Sequence, residues 1–348
     1  MKILIAGNMG YVGPSVTTQL RNTFPDAELI GFDIGYFAHC LTNALYLPEV
    51  KINRQVFGDI RNFPESLLEG VDAIVDLAAI SNDPMGNKYE EITLEVNYHS
   101  AVKLAKMAKK AGVKSFVYAS SCSMYGAADQ YPKTEKDELN PLTAYARSKV
   151  YTEQDLESLA SDDFVVTCPR FATACGFSNR LRLDLVLNDF VAGAFVSREI
   201  SILSDGTPWR PMINTKDMAR AIEWGILRQS SQGGNFLAVN AGSNEWNNQV
   251  KPLAEAIAQI IPGVKITVNP DAPPDKRSYR VNFDYFKKLA PDHQPVHDLE
   301  STIKEVIEGL KGMEFNDPDF RQSTYIRLKT LNRLQSENKL NKNLEWTF

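Results

Sequence analysis

Three observations in the sequence predict a doubly wound α/β fold, a parallel sheet covered on both faces, with a smaller, mostly C-terminal α/β domain beyond it. Short apolar runs alternate with helical patterns through the first half of the chain. The first run leads at once into a turn spaced by glycines. After Gly176 the rhythm changes.

The apolar runs are Lys2–Ala6, Glu28–Phe32, Ala73–Leu77, Ser115–Ser120 and Phe164–Pro169, with a shorter one at Gln55–Phe57. They are rich in Ile, Val, Leu and Phe. Near-continuous apolar strands separated by helices indicate a parallel sheet buried on both faces. The intervening helical patterns are Gly13–Thr23, Glu91–Ala111 and Tyr145–Ala160, which completes a doubly wound pattern. Beyond Gly176 the reading is a helix at Asn179–Val196, a strand at Ile200–Leu203, a helix at Thr215–Ile226 and a strand at Asn235–Ala241. A helix at Asn248–Ile261, a strand at Lys265–Asn269, a proline-rich loop at Asn269–Lys276 and helices near Leu299–Lys311 and Ser323–Gln335 follow. Residues 1–175, rejoined by 212–245, are expected to bind a dinucleotide. Residues 176–211 and 246–348 are expected to form a discontinuous substrate domain, with a cleft between the two. The tail 321–348 is assigned no role beyond a possible cover for that second domain.

The 348 residues suffice for a large core and two domains, and 43% hydrophobic with 23% charged residues is ordinary for a soluble globular protein. A net charge of −5 with mixed signs gives no nucleic-acid-binding tail, and Lys106, Lys109, Lys110 and Lys114 follow a solvated helix face. Cys40, Cys122, Cys168 and Cys175 show no CxxC spacing, and there are only four His, so no metal site is expected. Sparse cysteine fits a reducing compartment. No basic segment leads into a longer apolar run at the N-terminus, and no 18-residue apolar stretch exists. The expected location is cytoplasmic, with no membrane partner.

Gly7-Asn8-Met9-Gly10-Tyr11-Val12-Gly13 lies between the first strand and the first helix. Glycines there permit a tight turn, close backbone approach to a pyrophosphate and close helix–strand packing. The helix N-terminus supplies free N–H groups and a positive dipole end. This strand–turn–helix context makes a GxxGxxG triplet a dinucleotide signature, and the sheet Rossmann-type. Asp33 ends the second strand twenty residues after Gly13. An acid there suits both hydroxyls of an adenosine ribose and repels a 2′-phosphate, and no Arg follows it immediately, so NAD is favoured over NADP. In Gly58-Asp59-Ile60-Arg61, Asp59 is placed to accept from the adenine amino group and Ile60 to pack on the ring.

Tyr145 and Lys149 stand four residues apart, on one face of a helix. A nearby ammonium favours phenolate and lowers a tyrosine's pKa, and such a tyrosine exchanges protons with a substrate hydroxyl near neutral pH. By spacing alone the pair is also that of a solvated helix face, and it gains chemical meaning only with a hydride acceptor beside it.

Taken in order, these motifs resemble those of the extended short-chain dehydrogenase/reductases, and more narrowly the NAD-dependent nucleotide-sugar epimerase/dehydratase family. The resemblance covers most of the chain and is strongest over residues 1–220. It rests on the glycine turn, Asp33, Gly58-Asp59, Leu77-Ala78-Ala79, Val96-Asn97, Ser120 to Gly126, Tyr145-xxx-Lys149, Pro169-Arg170-Phe171 with Gly176, and Asp205 to Pro211. It implies Tyr145 as catalytic acid/base, with Lys149 holding the nicotinamide ribose. Ser121 would bond the reacting oxygen, and Asn97 would anchor the central helix and a water near the lysine. Leu77, Ala78 and Ala79 would bring backbone close to the cofactor, as would Met9, Tyr11 and Val12 in the turn. Arg210, Arg277 and Asn188 would meet a nucleoside diphosphate, the guanidinium fork of each Arg matching its geometry. Ser123 and Thr173 fall on the substrate side. A homodimer is implied, paired through two helices from each subunit.

The sequence departs from the family pattern in three places. Asp76 replaces a frequent His before Leu77. Thr173 replaces the usual Asn. Cys122 and Ser123 stand where sugar 4,6-dehydratases typically carry an acidic pair. A thiol and a hydroxyl do not serve as that pair, so a nucleotide-sugar epimerase acting at C4 through a transient 4-keto sugar is expected. The alternatives are a nucleotide-sugar 4,6-dehydratase or 4-dehydrogenase/reductase at the same site, and a non-catalytic dinucleotide-sensing protein on the same fold. The joint presence of Ser121, Tyr145 and Lys149 speaks against the last.

Overall fold

The computed structural model describes residues 1–42, 44–127, 131–269 and 278–347. In the first half, β1 (Lys2–Ala6), α1 (Gly13–Thr23), β2 (Glu28–Asp33), β3 (Arg54–Phe57) and β4 (Ala73–Asp76) follow in order. Then come α2 (Asp83–Lys88), α3 (Glu90–Leu94), α4 (Ala101–Lys110), β5 (Ser115–Tyr118), β6 (Ser120–Ser121), α5 (Ala144–Leu159) and β7 (Val165–Phe171). The second half holds β8 (Thr173–Cys175), α6 (Val186–Ser197), β9 (Glu199–Ile202), β10 (Trp209–Asn214), α7 (Thr215–Leu227) and β11 (Phe236–Ala241). It ends with β12 (Asn247–Gln249), α8 (Val250–Ile260), β13 (Lys265–Val268), α9 (Asp284–Leu289), α10 (Leu299–Gly312) and α11 (Arg327–Ser336).

The main sheet runs β11-β7-β5-β4-β1-β2-β3, with β6 beside β7, and every pairing in it is parallel. The order reverses between β1 and β4. In an open α/β sheet this is where a crevice opens beyond the carboxyl ends of the strands. Alternate residues of each strand face opposite sides. Ile3, Ile5, Val75 and Val117 pack under α1 and α7 through Val16, Leu20, Met218 and Ile222. Leu4, Ile30, Ile74 and Phe116 pack under α4 and α5 through Leu104, Ala105 and Leu156.

A second core lies among α6, α8 and α10, where Leu187, Val191, Leu253, Ile257, Ile303 and Val306 meet. Two small sheets border it, β12-β10-β8 and β13-β9. Among the described residues no helix is long and apolar enough to cross a membrane.

Three of the expected helices differ from the sequence reading, which also gives no element at α2, β8, β10, β12 or α9. The helix expected over 179–196 begins only at Val186, because Leu181 and Leu183 enter the second core while Arg180 and Arg182 turn the other way. That alternation has the period of extended chain, not of helix. The rod expected over 91–111 contains a π-helical stretch, Glu95–Ser100, between α3 and α4. The last helix starts at Arg327 rather than at residue 323.

The tail does more than adjoin the second core. Past Phe320 it crosses to the loop after β2 and to α2–α3, where Leu331, Leu334, Leu340 and Leu344 bury against Tyr36, Met85 and Tyr89. The Tyr36 hydroxyl donates to the Leu344 carbonyl. Trp346 Nε1 donates to the Ile34 carbonyl at 2.8 Å, and Arg61 to the Asn343 carbonyl at 2.9 Å.

Candidate active site

A cavity of about 1230 Å³ follows the crevice from Asp33 and Asp59, past Gly10 and Tyr11, to Tyr145 and on to Arg210 and Tyr279. A single small-ligand pocket is typically about 300–1,000 Å³, so this cleft has room for more than one molecule.

At the glycine turn, Gly7 has φ +79°, and a Cβ there would sit 2.6 Å from the Ala78 backbone nitrogen. A Cβ on Gly13 would lie 1.9 Å from the Asn8 carbonyl oxygen. The turn therefore brings β1, the start of α1 and the Ala78 backbone together as only glycine allows. Asp33 accepts from Met9 N at 2.9 Å and from Gly35 N at 2.7 Å, one bond on each oxygen. Burial raises its pKa, and those two backbone donors pull it back. Each oxygen keeps acceptor capacity for a ribose hydroxyl. Asp59 is gripped by Arg61, Ile60 lines the cleft beside it, and Leu77, Ala78 and Ala79 form the floor. The donors at the turn, the acid with acceptor capacity to spare and the volume together fit a dinucleotide. Met9 contributes through its backbone; its side chain is buried and off the cleft wall.

Thr143 caps α5, its Oγ1 accepting from Ala146 N at 3.2 Å and donating to Asp83 at 2.8 Å. This fixes where the helix begins, and so the face on which Tyr145 and Lys149 emerge. Gly86 on α2 lies so close that a Cβ would be 3.3 Å from Tyr145 Cβ. Asn97, from the π-helical stretch, bonds both backbone groups of Ile80 and donates to Ser148 Oγ at 3.3 Å. It is fully buried and ties α5 to the chain beyond β4 without reaching the cleft.

Lys149 is nearly buried. Its Nζ donates to the Ala119 carbonyl at 2.6 Å and sits 4.4 Å above the Tyr118 ring and 5.6 Å from the Tyr145 ring. Burial lowers its pKa to about 8. The expected depression of Tyr145 is absent: burial raises the phenol, while the Ser121 hydroxyl against it pulls the other way. The cause is geometric, since the ammonium points to Ala119 and Tyr118 rather than to the phenol.

Ser121 Oγ donates to Ser123 Oγ at 2.9 Å, and both residues line the cleft. Cys122 turns away, fully buried, with its thiol on the Arg170 carbonyl at 3.1 Å. Thr173 and Arg210 line the outer end. Asn188 does not: it is buried and bonded to Tyr11, Gly176 and Arg182. Arg277 lies outside the described residues.

Several wall residues had no sequence signal strong enough to single them out. Arg182 forks onto Asp184 at 2.8 and 3.0 Å and donates to Ser81 Oγ at 2.9 Å, while Asn82 donates to Asp184 at 2.9 Å. Arg327, buried, donates to the Arg180 carbonyl at 2.7 Å and stacks 4.7 Å from the Phe37 ring. The available clue was Arg at 180 and 182 alternating with leucines that belong to a core.

The model of the NAD dependent epimerase/dehydratase family matches residues 3–242. An uncharacterized UDP-glucose epimerase of Bacillus subtilis (strain 168) is 28% identical over 77% of this chain and 84% of its own. A dTDP-glucose 4,6-dehydratase of Streptomyces griseus is 24% identical over 72% of this chain and 76% of its own. For another relative the chain spans 63% of that protein's length. The solved UDP-glucose-4-epimerase of Stenotrophomonas maltophila, with bound NAD and formylated UDP-arabinopyranose, shares the fold, with TM-score 0.77 and 20% identity over 90% of this chain and 99% of that one.

Proposed function

Because the chain belongs to the NAD dependent epimerase/dehydratase family, we propose that it is a nucleotide-sugar epimerase that inverts C4 through a transient 4-keto sugar. The carrying observation is that Ser121, Tyr145 and Lys149 converge on the cleft while neither Cys122 nor Ser123 offers a carboxyl for expelling water. NAD is the family's cofactor; the glycine turn, Asp33, Asp59 and Lys149 would hold it, and it would supply a hydride acceptor.

Tyr145 Oη exchanges the proton of the sugar hydroxyl, as base in one half of the cycle and as acid in the other. Burial keeps the phenol protonated at neutral pH, and the Ser121 hydroxyl is the neighbouring group that most favours its base form. Thr173, Ser123 and Arg210 face the sugar nucleotide, with the Arg210 guanidinium suited to a diphosphate. The sugar must have room to turn before the proton returns, and the cleft's volume of about 1230 Å³ supports this. Residues 1–175 with 212–245 serve the cofactor, and 176–211 with most of 246–348 the sugar. We extend the proposal to a homodimer paired through α5 and the helical rod that ends in α4, where Tyr98 of the π-helical stretch and Tyr151 of α5 meet at 5.6 Å with tilted rings.

A dehydratase is the second reading, favoured by one observation: Asp83 lies on the cleft wall, close enough to influence Tyr145. Incubation with UDP-, GDP-, CDP- and dTDP-sugars, with products read by NMR, separates the two. A C4-inverted sugar without accumulating NADH is expected. A 4-keto-6-deoxy product would replace epimerisation with dehydration, and accumulating NADH would replace it with dehydrogenation.

An enzyme that reuses its NAD benefits from keeping it. Ile326 and Arg327 of the tail line the same cleft, and Trp346 pins the tail to Ile34 beside Asp33. Trp346→Ala is expected to release NAD faster: less NAD per chain should survive desalting, measured by mass spectrometry of the denatured supernatant, with secondary structure unchanged. Equal NAD content in both proteins would refute a retaining role for the tail.

A further inference from the structure

One acid near the centre is unused by this mechanism. Asp76 ends β4, is buried, and accepts from Ala78 N at 3.1 Å through Oδ1, while Oδ2 has no hydrogen-bond partner. Burying a charge without a partner is costly, so a retained carboxylate in this position needs a compensating cation. The sheet supplies the geometry. Asp76 is in register with Tyr118 on β5, and the Tyr118 ring carries Lys149 Nζ at 4.4 Å. The carboxyl therefore lies on the strand next to the one that seats the ammonium.

We propose that Asp76 is a positioning residue whose carboxylate keeps Lys149 protonated in its buried seat, acting on the reaction through the lysine. The groups facing Lys149 are few. Asp76 on β4 and Cys168 on β7 face it from the sheet, and Glu153 faces it from its own helix. The Tyr118 and Tyr145 rings complete the surroundings. Of the charged groups, Asp76 gives the largest support to the ammonium, against the burial that brings it to about 8. Lys149 returns the effect, as the largest influence opposing the burial that lifts Asp76 to about 6. Between those values both groups are predominantly charged, and each stabilises the charge of the other. In place of the His that the family often carries, this chain thus has a carboxylate tuned to the lysine.

The role deepens the epimerase reading, in which a charged Lys149 holds the cofactor's ribose, but its test requires no substrate. Protein carrying 13C-labelled lysine is titrated by NMR, with the Lys149 resonance assigned by its loss in Lys149→Met. The native midpoint is expected near pH 8. In Asp76→Asn, of nearly the same shape, it should fall by about 1 pH unit, the low end for loss of an adjacent opposite charge. Asp76→His is the second variant and should move the midpoint in the same direction. An unmoved midpoint in a folded variant would overturn the proposal. Turnover on whichever sugar nucleotide responds gives an independent readout. Its alkaline limb should shift to lower pH in Asp76→Asn, so that the variant loses more activity at pH 8 than at pH 6.5. A uniform loss across pH would mark Asp76 as merely structural, and failure of every sugar would count against the epimerase reading alone.

Discussion

Tyr145→Phe should lower turnover on a responsive sugar nucleotide by about 10²–10⁴-fold, the range that a positioned proton-transfer group contributes. The change removes one oxygen and leaves a ring of the same shape, half-buried against Gly86 and the cleft wall. Stability and NAD content should therefore stay near the native values. A fall in kcat with little change in KM would place the loss in proton transfer rather than in binding. Native turnover in the variant would remove Tyr145 from the mechanism. Ser121→Ala offers a graded comparison, because it deletes the hydroxyl that opposes the burial of the phenol.

The part of this site that depends on local sequence was legible. The bounds of β1 and α1 match the reading residue for residue, since a glycine turn between an apolar strand and an amphipathic helix is a local signal. The position of Asp33, at the end of β2 on the cleft wall, was also readable, because the strand and its distance from Gly13 are local features. What resisted was anything decided by packing between segments far apart in sequence. Asn188 carries the polarity of a ligand-binding residue, yet its amide satisfies Tyr11, Gly176 and Arg182, which spacing alone does not reveal. Arg180 to Leu183 fall within the expected helix, and leucine and arginine both suit helices; the second core and Glu49 decide otherwise. The pair that spacing did find, Tyr145 and Lys149, stands on one helix face, but its electrostatics were inverted. Spacing sets proximity, whereas burial and the Ala119 carbonyl set the charge balance.

The largest expected effect on stability lies one turn beyond Lys149. Glu153 on α5 and Arg170 on β7 are both buried and joined by three bonds, Nε to each carboxylate oxygen at 3.1 Å and Nη2 to Oε2 at 2.7 Å. Ser120 Oγ donates to Glu153 at 2.5 Å, and Arg170 Nη1 donates to Tyr125 Oη at 3.1 Å, so the pair also binds β6 beside Ser121. Glu153→Ala leaves a buried guanidinium without its anion, and it should cost about 3–5 kcal/mol in urea unfolding. The pair need not be favourable overall, because desolvation offsets much of its attraction. Replacing both members together, Glu153→Leu with Arg170→Met, should therefore recover most of what the single change loses. If the single change costs less than about 1 kcal/mol, α5 is held by its apolar face, and the ion pair does not fix the height of Tyr145 over the cleft. If it costs the full amount while the double replacement restores stability but not turnover, then the pair's contribution is to position β6 and Ser121. That outcome is expected, because Ser120 keeps its place on β6 through the carboxylate, and an apolar pair fills the volume without accepting that bond.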